Sequence, residues 1–115
     1  MVQHVVAKRM GMVISVKPEK LDEYKRLHAN PWPEMNAALS AANIRNYSIY
    51  LREPEMLLFG YWEYAGTDYE ADMKVLDGLA ISKEWLALTD PCQSPLKSAA
   101  PGEWWSMMPE IFHLD

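Results

Sequence analysis

The chain has 115 residues, enough for one domain, and half of them are hydrophobic, so it buries a modest core instead of staying disordered. Its formal net charge is −5 with a pI near 5.1, and Lys and Arg are scattered, which argues against nucleic acid or an anionic membrane as partner. No apolar run approaches the roughly 20 residues of a transmembrane helix. Residues 1–9 lack the apolar stretch of a secretory signal, and the single Cys92 rules out an intrachain disulfide framework, so a cytoplasmic protein is expected.

Residues 1–9 read as an N-terminal extension and 10–115 as a single domain. Met10, Met12, Ile14 and Val16 alternate with Gly11, Val13 and Ser15, a short strand. Pro18 sits where a helix can start. Leu21, Tyr24, Leu27 and His28 then form a helical stripe. The helix ends near Asn30, because Pro31 disfavours helical geometry in the residue before it. Helical residues resume over 33–42, so Pro31-Trp32-Pro33 is a corner between two helical pieces.

Asn46 to Leu51 and Met56 to Tyr64 read as two strands of a hairpin, with Arg52 to Glu55 as the turn. Tyr47, Ile49 and Leu51 share one face of the first strand; Asn46, Ser48 and Tyr50 share the other. Asp68 to Leu88 reads as a helix with a weak point at Gly78. Residues 90–102 carry three prolines and form a loop, and Glu110 to Leu114 is the expected closing strand. The order β-α-β-β-α-β is the ferredoxin-like α+β arrangement, with helices on one face of a four-stranded antiparallel sheet. Trp62, Tyr64 and Tyr50 are candidates for the opposite face, depending on register. A second subunit or the segment 90–109 would cover it, and a face-to-face homodimer is expected.

There is no phosphate-binding glycine loop, serine elbow or Cys-x-x-Cys pair, and His4, His28 and His113 lack metal-ligand spacing, so no metal is expected. Tyr24 and His28 are one helical turn apart and share a face. Spacing alone admits two readings of His28. Charged, it would sit favourably at a helix C-terminus; alternatively, an imidazole, with an ordinary pKa of about 6.5, gives and takes protons near neutrality. Five Trp and six Tyr against two Phe suit a wet pocket, an interface or ordinary packing. Trp104 and Trp105 could serve as a lid, a pocket wall or a dimer contact.

Glu-Tyr-Lys-Arg-Leu-His-Ala-Asn-Pro-Trp-Pro-Glu at 23–34, Asn-Tyr-Ser-Ile-Tyr-Leu at 46–51, Leu-Leu-Phe-Gly at 57–60 and Glu-Ile-Phe-His-Leu at 110–114 together resemble the L-rhamnose mutarotase family. The resemblance spans residues 10–115 and is most specific in Tyr-x-x-x-His…Trp-Pro-Glu. It implies a dimeric α/β barrel that interconverts the α and β anomers of a 6-deoxyhexose without a cofactor. It makes His28 the catalytic histidine, with Tyr24 and Tyr47 on the sugar. The family's Trp-Trp pair on the late helix is here Glu84-Trp85-Leu86, so one indole remains. That departure touches sugar specificity, not the chemistry.

Trp85, Trp32 and Trp105 are candidates for the wall against the sugar's apolar face. His28 is the expected proton donor to the ring oxygen, with Tyr24, Glu34, Glu63 or water as the second group. An L-fucose mutarotase is the nearest alternative; a cofactor-free monooxygenase and a non-catalytic sugar-binding module are the others, since this fold hosts several chemistries.

Overall fold

The computed structural model describes residues 7–115, so residues 1–6 of the expected extension lie outside it. Strand β1 runs Lys8–Val16, two residues earlier than its alternation suggested. A 3-10 turn at Pro18–Lys20 leads into α1, Leu21–Ala29, and α2 follows at Pro33–Ala41. Pro33 occupies the first turn of α2, where a missing N–H costs nothing. The hairpin is β2, Ile44–Arg52, and β3, Leu57–Tyr64. Helices α3, Tyr69–Gly78, and α4, Ala80–Thr89, come next, then the short strands β4, Gln93–Ser94, and β5, Ser106–Met108.

The strands lie in the order β2-β3-β1-β4, all antiparallel, with β5 also pairing with β1. This is the ferredoxin-like α+β sheet. Two of the expected elements are replaced. The 68–88 helix is two helices, because Leu79 after Gly78 takes extended geometry (φ −73°, ψ 143°). The closing strand is not Glu110–Leu114: β4 and β5 fill that edge, and β5 stops at Met108 because Pro109 has no N–H to donate to a ladder.

Register decides which side chains meet the helices. Asn46, with a left-handed φ of 51°, lies in a bulge between Arg45 and Ser48. The extra residue puts Ile44 on the same face as Tyr47, Ile49 and Leu51, although the spacing from 44 to 47 is odd. The pairing then aligns Leu51, Leu58 and Ile14 across three strands. Trp62 and Tyr64 also lie on this helix-facing side, against Tyr47 and Tyr69, so they do not belong to the open face. The open face carries Tyr50, Phe59, Tyr61 and Met108.

Two apolar clusters result. One joins Ile14, Val16, Leu21, Tyr24, Leu58 and Cys92 between α1 and the sheet. The other joins Met35, Ala42 and Leu76, with Trp32, Leu39 and Trp85 packed against it. Asp68 caps α3 by accepting from the Ala71 N–H at 3.1 Å. Among the described residues no helix is long and apolar enough to cross a membrane.

Candidate active site

Between the two clusters lies a cavity of about 500 Å³, within the range of small-molecule sites. Its walls come from both helical pieces and the sheet. Helix α1 gives Tyr24, Lys25 and His28, the corner and α2 give Trp32, Met35 and Asn36, β2 gives Tyr47, Ile49 and Leu51, and α4 gives Trp85. The structure therefore gathers His28, Tyr24, Tyr47, Trp85 and Trp32 into one site, although their positions in the chain run from 24 to 85.

His28 occupies the last turn of α1, which ends because Pro31 follows. Its ring stands 4.2 Å, centroid to centroid, from Tyr24 and 5.3 Å from Trp85, edge to face. Trp32 meets Trp85 at 5.0 Å, also edge to face, so imidazole and two indoles form a continuous wall. Nδ1 of His28 is 2.8 Å from the backbone carbonyl of Tyr24. A carbonyl only accepts, so Nδ1 carries the proton. Neutral His28 therefore keeps its lone pair on Nε2, the nitrogen left for a ligand.

Tyr24 is buried, and its phenol oxygen accepts a hydrogen bond from Gln93 Nε2 at 3.2 Å. Burial pushes its pKa well above that of a free phenol, and the neighbouring Tyr47 adds to this. Tyr47 leaves 38% of its surface open, yet its hydroxyl lies among the cavity walls. That loss of solvation, with Tyr69 nearby, pushes its pKa up to about 12. Both phenols are neutral hydrogen-bond donors at pH 7.

The other expected residues fall elsewhere. Trp105 does not line the cavity; its indole packs on the Ile14–Leu58 cluster and over Gly60. A Cβ at Gly60 would stand 2.9 Å from Met12 Cγ and 3.3 Å from Trp105, so glycine there makes room for both. Glu34 is exposed outside the cavity. Glu63 lies on the open face, where hydrogen bonds from Asn46 and Tyr61 hold its carboxyl below the usual range. Among the described residues no carboxylate lines the cavity, and its titratable groups are His28, Tyr24, Tyr47 and Lys25.

Reading the sequence did not single out Met35, Asn36 or Gln93. The β2 alternation that placed Tyr47 with Ile49 and Leu51 could have named those two as lining residues. Gln93 had no such signal, because its strand is two residues long between Pro91 and Pro95. Among the described residues, no three His, Cys, Asp or Glu side chains gather as a metal site.

Fold and cavity define a ferredoxin-like α+β protein with a histidine–tyrosine pocket. The family model for L-rhamnose mutarotase matches residues 9–114, and the chain belongs to that family. It is 34% identical over 108 residues to an L-rhamnose mutarotase of Oceanobacillus iheyensis, covering 94% of this chain and 99% of the relative. It is 36% identical over 112 residues to that of Ligilactobacillus salivarius, covering 93% and 97%. Among solved structures, an L-rhamnose mutarotase from Formosa agariphila superposes with a TM-score of 0.74 at 20% identity, covering 94% of this chain and 99% of that one.

Proposed function

We propose that this protein interconverts the α and β anomers of L-rhamnose by acid–base ring opening and closure, with His28 and Tyr24 as the proton-transferring groups. The observation that carries the reading is the His28 tautomer: Nδ1 is committed to the Tyr24 carbonyl, which leaves Nε2 basic in a cavity that also holds a neutral phenol. Starting from the neutral imidazole, this proposal makes His28 the base on opening, where the expectation from sequence is the donor to the ring oxygen.

On opening, Nε2 of His28 takes the proton of the C1 hydroxyl while the Tyr24 phenol gives its proton to the ring oxygen. The bond between C1 and the ring oxygen breaks, and C1 becomes an aldehyde. After rotation about C1–C2, the C5 hydroxyl attacks the other face of the aldehyde. It returns its proton to the Tyr24 phenolate, and the imidazolium reprotonates the C1 oxygen. No proton is lost or gained overall. Well-placed acid–base groups supply roughly 10²–10⁴-fold each.

Trp32 and Trp85 offer apolar faces to the C–H surfaces and methyl group of a 6-deoxy sugar, and the Tyr47 hydroxyl and Asn36 amide offer hydrogen bonds to its hydroxyls. The late helix carries one indole, Trp85, between Glu84 and Leu86 where the family has a Trp-Trp pair, and this departure keeps L-fucose as the second reading. We also propose a homodimer, joined through the open sheet face and the exposed apolar tail that follows it.

The test is exchange NMR between anomers of L-rhamnose and of L-fucose with purified protein. Faster exchange on L-rhamnose is expected, and a stronger effect on L-fucose would exchange the two sugars. No acceleration on either discards the mutarotase reading. Oxygen uptake with a phenol, or sugar binding without exchange, would then identify the alternatives.

A further inference from the structure

Tyr24 is not alone in the core. Its phenol oxygen accepts from Gln93 Nε2 at 3.2 Å, and Gln93 Oε1 accepts from the Trp104 indole N–H at 2.9 Å. Gln93 is 4% exposed and Tyr24 is 5% exposed, so neither group turns freely to water. Trp104 is 39% exposed and lies on the segment between β4 and β5, outside the cavity.

The polarity of this chain of bonds is forced. An indole N–H only donates, so the amide must present its oxygen to Trp104 and its NH₂ to Tyr24. An NH₂ group of an amide only donates here, so the phenol oxygen accepts and its own proton must find another acceptor. The cavity is where that acceptor would be.

We propose that Gln93, held in one orientation by Trp104, is a positioning residue that aims the Tyr24 proton into the cavity and steadies the phenolate left when that proton moves. The second effect follows from the same bond, since a donor to the phenol oxygen favours its charged form. This inference rests on the mutarotase reading above and extends it beyond the cavity lining, because Gln93 and Trp104 are not part of that lining. The segment after β4 thereby acquires a role, since it carries the indole that sets the polarity.

Replacing Gln93 by Glu separates this from simple packing. The variant has nearly the same shape. Once ionised, its carboxylate offers only acceptors, so it draws the Tyr24 proton out of the cavity and repels the phenolate. Protonated, it can again donate to the phenol. The ratio of exchange rates, Gln93→Glu over wild type, is therefore expected to be about 10- to 100-fold down at pH 8 and to recover as pH falls. Taking the ratio to wild type at each pH cancels the pH effects common to both proteins. Gln93→Met should lose about fivefold or more in kcat with KM nearly steady, without the pH recovery.

Trp104→Phe frees the amide to turn and should lose about two- to fivefold. Its partly exposed site makes it the variant of choice if a change at Gln93 prevents folding. Thermal melts accompany each measurement. A flat pH ratio for folded Gln93→Glu overturns the proposal, as does wild-type kcat in Trp104→Phe. Wild-type protein with no exchange activity at all overturns the mutarotase reading instead, and that outcome is distinct from an active wild type with indifferent variants.

Discussion

Nδ1 of His28 lies 2.8 Å from the carbonyl oxygen of Tyr24, four residues earlier on the same helix. Two residues on, Asn30 repeats the geometry: its Nδ2 donates to the Arg26 carbonyl at 3.1 Å. An asparagine side chain thus makes this i to i−4 contact at the end of α1. His28→Asn should therefore keep the donor to Tyr24 and remove the basic Nε2. We expect anomer exchange to fall about 10²–10⁴-fold while the melting temperature changes little. Exchange NMR and thermal melts on one preparation check both halves. Retained exchange in a folded variant removes His28 from the mechanism.

The two cavity tyrosines are predicted to behave differently when their hydroxyls are removed. Tyr24→Phe leaves the buried Gln93 amide without its acceptor, at a cost of about 1–3 kcal/mol in stability. It also removes the acid and should lower kcat by about 100-fold or more. Tyr47 is partly open, and among the described residues no hydrogen bond from its hydroxyl ties it to the core. Tyr47→Phe should act mainly on KM. Urea melts with kcat and KM for both variants test the contrast, and equal effects at the two positions would contradict the assigned roles.

The strand and helix pattern was legible because it rests on local rules: alternation in β1, proline at the helix starts, and Asp68 at a helix N-terminus. Tyr24 and His28 were legible for the same reason, being neighbours on one helix. What escaped depends on pairing between distant segments. Gln93 belongs to a two-residue strand that exists only because Val16 pairs with it, and no periodicity spans two residues. The face carrying Trp62 followed from strand register, and Glu63 was a candidate only until register put it on the opposite side. Trp105 looked like a pocket wall by type, but Gly60 offered it a place against the core.

Tyr47 gives a prediction in alkali. Its hydroxyl has lost solvation and stands near Tyr69, which together push its pKa up to about 12; an unfolded tyrosine titrates near 10. Below about pH 10 both states keep the proton, and the group leaves stability independent of pH. Between about 10 and 12 the unfolded chain ionises first, so stability falls as pH rises. The raised pKa of Tyr24, also from burial, acts in the same direction. Urea midpoints should hold steady from pH 8 to about 9.5 and then decline. The decline should be shallower in Tyr47→Phe, and identical slopes would place the Tyr47 hydroxyl in water.

The tail beyond β5 tests the homodimer. Arg9 holds Glu110 through two hydrogen bonds, at 3.0 and 3.3 Å, and so ties the start of the tail beside the open face. Past it, Ile111, Phe112 and Leu114 are 95%, 78% and 80% exposed, and Tyr50 on the open face is 65% exposed. Each large apolar side chain left in water forgoes roughly 1.5–3 kcal/mol of burial, and a contiguous set of them marks an interface. Two copies of Phe112 would be buried in a symmetric pair. Phe112→Asp is therefore expected to raise the dimer dissociation constant by about 100-fold or more. Light scattering on a sizing column should show twice the chain mass for wild type and a shift toward a single chain for the variant. A wild-type protein that runs as a monomer at micromolar concentration would leave the tail without its proposed partner.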